Sequence, residues 1–141
     1  MDFFWILLFG TLSVLTDKPL DLMPGDTDIS LPTPISAVTH GASLYVDVSA
    51  MIPRDEMTFK LSEKWVERNI KPGCVRAILH GGDSKSVSLD FKGGTSFEPG
   101  KVHLILANDT GVPVWKEFRG LTLSSCRPLS QVIILWRNYQ K

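Results

Sequence analysis

Three histidines, two cysteines and no run of like charge leave this 141-residue chain with few of the groups that announce chemistry. Fifteen basic side chains balance fifteen acidic ones. A nucleic-acid binder needs a basic patch to displace counterions, so nucleic acid is not an expected partner. Cys74 and Cys126 are too far apart for a C-x-x-C redox or zinc motif. His40, His80 and His103 show neither H-x-x-x-H nor H-x-H spacing. "GGTSFEPGK" comes nearest to a phosphate loop, but Val102 follows Lys101 where a Ser or Thr would hold magnesium. No catalytic group, metal or cofactor is therefore expected.

What is present begins with "MDFFWILLFGTLSVLTDKPL". Phe3 to Leu15 carries no charge. The run is shorter than the ~20 residues of a membrane-spanning helix and matches the ~7–15-residue apolar core of a secretory signal. Thr11-Leu12-Ser13 offers small residues for a signal peptidase, whereas Met1-Asp2 lacks the usual Lys or Arg. Residues 1–16 thus read as a signal peptide or as a short uncleaved hydrophobic helix contacting the membrane through residues 3–15; a buried core helix or strand is the third reading. The first two place the rest outside the cytoplasm: periplasmic, secreted or anchored facing outward. Residues 17–34, with Pro19, Pro24, Pro32 and Pro34 among Asp17, Asp21, Asp26 and Asp28, read as a solvated linker. Asp26-x-Asp28 lacks the glycine and terminal Glu of a calcium loop.

From residue 35 to 141 the pattern turns to period two. Leu44, Val46 and Val48 oppose Tyr45, Asp47 and Ser49; Val75, Ala77 and Leu79 oppose Arg76, Ile78 and His80; Val87, Leu89 and Phe91 oppose Ser88, Asp90 and Lys92. Such alternation suits strands with one buried face. "VHLILA" and "QVIILWRNY" are apolar on both faces, as central strands are. Gly81-Gly82-Asp83 and Arg127-Pro128 supply turns, and Gly93-Gly94 and Pro99-Gly100 bracket a longer loop. The expected fold is all-β, a mainly antiparallel β-sandwich of Ig-like or jelly-roll-like kind. One short helix is expected near 62–71, with Ser62 as N-cap and Pro72-Gly73 as stop; continuation of a strand through Met57, Phe59 and Leu61 is the alternative.

Asp109-Thr110-Gly111 resembles the D-T-G loop of aspartic proteases. The resemblance covers three residues. Asn108 stands where an apolar residue would run into the Asp, Val112-Pro113 follow, and one aspartate alone would need a second copy to form the proton-sharing pair. Asn108 to Gly111 reads as a turn. Asn108-Asp109-Thr110 is also an N-x-T sequon, meaningful only in a eukaryotic secretory pathway. His80 and His103 with Asp90 are the only metal set pairing could assemble, the sole basis for a small hydrolase or metal-dependent enzyme. Ser124-Ser125-Cys126 lacks the glycines of a nucleophile elbow. Outside the cytoplasm Cys74 and Cys126 are expected to form a disulfide.

Aromatics remain: Trp65, Trp115, Phe118, Trp136 and Tyr139. Trp115 and Phe118 lie among Lys116, Glu117 and Arg119, and this 115–119 segment is the expected partner-binding element; the competing reading puts Trp115 and Trp136 in the core. The expectation is a non-enzymatic, exported or tethered protein-binding domain, an inhibitor or immunity-type protein of the bacterial envelope. Its partner would be a secreted enzyme or toxin. The alternative is an accessory subunit of a membrane complex.

Overall fold

The computed structural model describes residues 11–16, 18–82 and 85–138. They form strands β1 (Thr11–Val14), β2 (Leu20–Leu22), β3 (Gly25–Ser36), β4 (Ser43–Asp47), β5 (Val75–Gly81), β6 (Ser86–Glu98), β7 (Lys101–Ala107), β8 (Glu117–Ser125) and β9 (Leu129–Asn138), with one helix, α1 (Phe59–Asn69). Every strand pair is antiparallel. The order is β1-β9-β4-β7-β6-β5-β8-β3, with β2 also on β9. The chain is mostly antiparallel β, as the alternation requires. In place of two packed sheets, however, one continuous sheet curls into a half-barrel. Register shifts between Phe91 and Thr95 in β6, and between Ser30 and Ile35 in β3, supply the bends; extra residues in a strand bend it and increase its twist.

The concave face holds the core. Leu44, Val46, Val75, Ala77, Leu79, Leu121, Leu123, Ile134 and Trp136 are all buried there, and Arg76, Ile78 and His80 point outward as period two demands. Helix α1 adds Trp65 and Val66 to the same cluster. It starts earlier than Ser62: Thr58 is the N-cap, its hydroxyl accepting from the Leu61 N–H at 3.3 Å, and Ser62 turns inward to donate to the Phe59 carbonyl. Threonine three residues before a free N–H does the same work as serine. Phe59 and Leu61, candidates for a strand, are exposed on the helix.

The expected linker is part of the sheet. Residues 20–22 pair with β9 and 25–36 with β8. Thr27 and Ile29 lie opposite Leu123 and Leu121 of the core, which sets Asp26, Asp28 and Ser30 on the outer face. Pro32 and Pro34 fall within the stretch where β3 detaches from β8, and an edge strand is where a sheet admits proline. The expected N-terminal hydrophobic helix is likewise not observed where it can be seen: Thr11–Val14 is a strand on β9. Residues 1–10, Asp83 and Tyr139 lie outside the described residues.

The two sides of the sheet, β1/β2 with the adjoining β9 on one and β3 on the other, come together at both ends. At one end the β2–β3 turn, Leu22 to Gly25, joins them covalently. At the other, Trp136 Nε1–H donates to the Ser36 carbonyl at 3.1 Å, and the Val38 N–H donates to Asn138 Oδ1 at 2.9 Å. Between these ties no strand ladder joins the two edges among the described residues.

Candidate functional site

Asn108 builds the turn after β7. Its Oδ1 accepts from the Thr110 N–H and hydroxyl at 2.9 and 2.7 Å, and its Nδ2 donates to the Ser88 carbonyl at 2.7 Å. Gly111 closes the turn at φ +86°, and a Cβ there would meet the His40 Cβ at 2.8 Å. Only glycine suits that position. Asp109, with its side chain 81% exposed, pairs with Lys92. An exposed carboxylate paired with a lysine is not the pair of adjoining carboxylates on which an aspartic protease relies.

The loop then runs against the residues after β3. His40 Nδ1 donates to the Val112 carbonyl at 2.9 Å, and the Val112 N–H returns to the His40 carbonyl at 3.1 Å. The Trp115 N–H donates to the Ala37 carbonyl at 2.8 Å. Held there, Trp115 takes φ +64° and leaves 69% of its surface in solvent. A non-glycine residue in the left-handed region costs about 1–2 kcal/mol. Lys116, Glu117 and Arg119, with Gly82, line a shallow depression of about 430 Å³ beside it. Arg119 and Glu117 pair at 3.0 Å.

Phe118, expected at the binding surface, is completely buried. It lies opposite Gly81, whereas Gly120 lies opposite His80, so β8 carries an irregularity between Phe118 and Gly120. That extra residue turns Phe118 onto the same face as Leu121 and Leu123. Trp136 is buried, as the core reading has it, and Trp115 is not. The segment therefore presents Trp115, Lys116, Glu117 and Arg119 without Phe118.

Sequence reasoning missed a second cluster. Asp47 on β4 lies opposite His103 on β7, with 3.5 Å between Oδ2 and Nε2. Its other oxygen accepts from the Ser49 hydroxyl at 2.5 Å and from the Ser49 N–H at 2.8 Å. The Val102 N–H in turn donates to Ser49 Oγ at 2.8 Å. Burial pushes the Asp47 carboxyl up, but the hydrogen bonds from His103 and Ser49 outweigh it and hold the group below its ordinary value. The carboxylate stands between hydroxyl and imidazole, and among the described residues no contact places His103 as a base on Ser49. A nucleophile needs that direct contact, so the cluster braces β4 against β7. The local D-x-S turn was visible in the sequence; its histidine came from a distant strand.

His80 and His103 do not converge. His80 is opposite Ser86 and His103 opposite Ser96, which at ~3.3 Å per residue sets them roughly 30 Å apart along β6. Asp90 pairs with Arg76 at 2.8 Å. His80 Nε2 lies 2.7 Å from Thr122 Oγ1, whose one proton goes to Asp28 Oδ1 at 2.7 Å; the imidazole is therefore the donor in that contact. Among the described residues no group of His, Cys, Asp and Glu is placed to hold a metal. Cys74 and Cys126 form a disulfide joining the start of β5 to the end of β8. No family model, curated protein or solved structure matches the chain.

Proposed function

We propose that this chain is a non-enzymatic protein-binding domain working outside the cytoplasm, as an inhibitor or immunity-type protein of a bacterial envelope. The observation that carries the reading is Trp115: a large aromatic kept in solvent by a backbone conformation that costs free energy. Strain of this kind persists where surrounding contacts enforce it and gathers at functional sites. Tryptophan is the residue most enriched at interface hot spots, and Lys116, Glu117 and Arg119 supply the polar rim that such anchors have. The Cys74–Cys126 bond suits an oxidising compartment. A secreted enzyme or toxin is the partner class.

Strand β1 favours the second reading, an accessory subunit that keeps residues 1–16. Cutting the chain near Val14 would strip Thr11–Val14 from β9 and bare its edge. One experiment serves both readings. The full chain and its Trp115→Ala variant are isolated gently from the native host, and intact masses of protein and companions are read. An exported enzyme or toxin that accompanies only the parent chain supports the inhibitor reading. Membrane subunits bound to an unprocessed chain support the accessory one. A companion retained equally by the variant removes Trp115 from either.

A further inference from the structure

The half-barrel is laced at both ends and open between them. The Cα atoms of β1 and β2 lie mostly more than 8 Å from those of β3, whereas paired strands stand about 4.7–4.9 Å apart. Inserting one more strand takes twice that spacing. The space is a groove of about 460 Å³, with Leu15, Leu20 and Ile29 on its walls. Ile29 faces the core side of the sheet, opposite Leu121, and Leu20 does so opposite Val132. On the outer side stand Asp21, which accepts from the Gln131 N–H at 2.9 Å, and Asp28, which accepts from Thr122. Asp26 lies two residues along the strand from Asp28, and Lys18 is the single cation lining the groove among the described residues.

We propose that this seam is a strand-addition site that takes an extended segment of a protein partner, apolar on one face and basic on the other. Among the described residues the facing edges of both walls have no ladder partner, and they offer main-chain donors and acceptors, which only another extended backbone can meet in series. A strand sends alternate side chains to opposite faces. One set would enter among Leu15, Leu20 and Ile29; the other would emerge between Asp21 and Asp28, where positive charge is favoured. Pro32 and Pro34 lack N–H groups, so pairing on the β3 side is confined to residues 25–31. The site is separate from the Trp115 surface and does not depend on it.

The probe is acetyl-Val-Lys-Val-Lys-Val-Lys-amide, compared with its Val-Glu counterpart and with a copy N-methylated at alternate backbone nitrogens. Amide hydrogen exchange is followed residue by residue at up to millimolar peptide. The expected result is at least tenfold slower exchange at amides of 25–31 and of 12–22 with the Val-Lys peptide only. Ile29→Lys should weaken binding at least tenfold. If that variant fails to fold, Asp28→Lys, at an exposed position, should invert the preference between the Val-Lys and Val-Glu peptides. Equal binding of the N-methylated peptide, protection elsewhere, or none at millimolar concentration overturns the proposal. Loss of peptide binding in Trp115→Ala also overturns it and assigns the peptide to that surface. Protection of β3 that rises with protein concentration alone, with a doubled mass in solution, overturns it in favour of edge pairing between two copies.

Discussion

The indole N–H of Trp136 on β9 donates to the carbonyl of Ser36 at the end of β3, 3.1 Å away, and so ties an inner strand to the far edge of the sheet, two strands that share no ladder among the described residues. Trp136 is buried to 1% exposure and the contact itself is partly buried, so it is screened less than a surface bond. Trp136→Phe keeps an aromatic body but deletes the donor and part of the ring. An orphaned carbonyl costs about 1–3 kcal/mol and the void adds to it, for a loss near 2–4 kcal/mol. Urea unfolding should show a lower midpoint with little change in slope. A midpoint within error of the parent would mean that the tie contributes nothing.

The Cys74–Cys126 bond closes a loop of 52 residues in sequence separation. In the chain-entropy account such a link stabilises the native state by ~4 kcal/mol through the unfolded ensemble. The Cys74→Ala/Cys126→Ala double variant should melt roughly 12–20 °C lower, at about 3–5 °C per kcal/mol for a chain of this size. Thiol labelling of denatured, unreduced protein should find no reactive cysteine. Two labelled thiols in material from the native host would remove the bond and with it the support for an oxidising compartment.

Asp47 links stability to pH. Its carboxyl is held below the ordinary value of 3.8 by His103 and Ser49, against the opposing effect of burial. A carboxyl depressed in the native state contributes its full stabilisation above the unfolded value and loses it as pH falls through the lower native one. Thermal unfolding of the parent and of Asp47→Asn should therefore differ by a constant amount above about pH 5, the gap narrowing below about pH 4. A gap that stays constant down to pH 2.5 would show that the charge of Asp47 is not what the variant lost.

Legibility followed locality. Val75, Ala77 and Leu79 against Arg76, Ile78 and His80 could be read directly, because period two is written into neighbouring residues. Residues 25–36 alternate as well, yet Pro32, Pro34 and two aspartates on the outer face disguised a strand as a tether; an edge position tolerates both. One curled sheet and two packed sheets share the same local pattern, and only distant pairings such as Asp47 with His103 distinguish them. Within 115–119 the mixture of aromatic and charged residues was visible but its facing was not. Phe118 turns inward because of an irregularity in β8 that no residue spacing announces.

Trp115 offers the sharpest separation of stability from function. Glycine accepts φ +64° without steric cost, recovering about 1–2 kcal/mol, and it loses some of that gain to its freer unfolded chain. With 69% of its surface already in solvent, the indole has little burial to forfeit. Trp115→Gly should therefore unfold within about 1 kcal/mol of the parent, or slightly later. Phe118→Ala, three positions on and completely buried, should lose about 3–5 kcal/mol. Both are measured by the same urea titration, and the pair is informative as a contrast. A Trp115→Gly variant that keeps its stability while losing its protein companion shows that the tryptophan is there for the partner. One destabilised as severely as Phe118→Ala shows that the indole packs against the loop that carries it, and the strained backbone would then be the consequence of packing rather than of display.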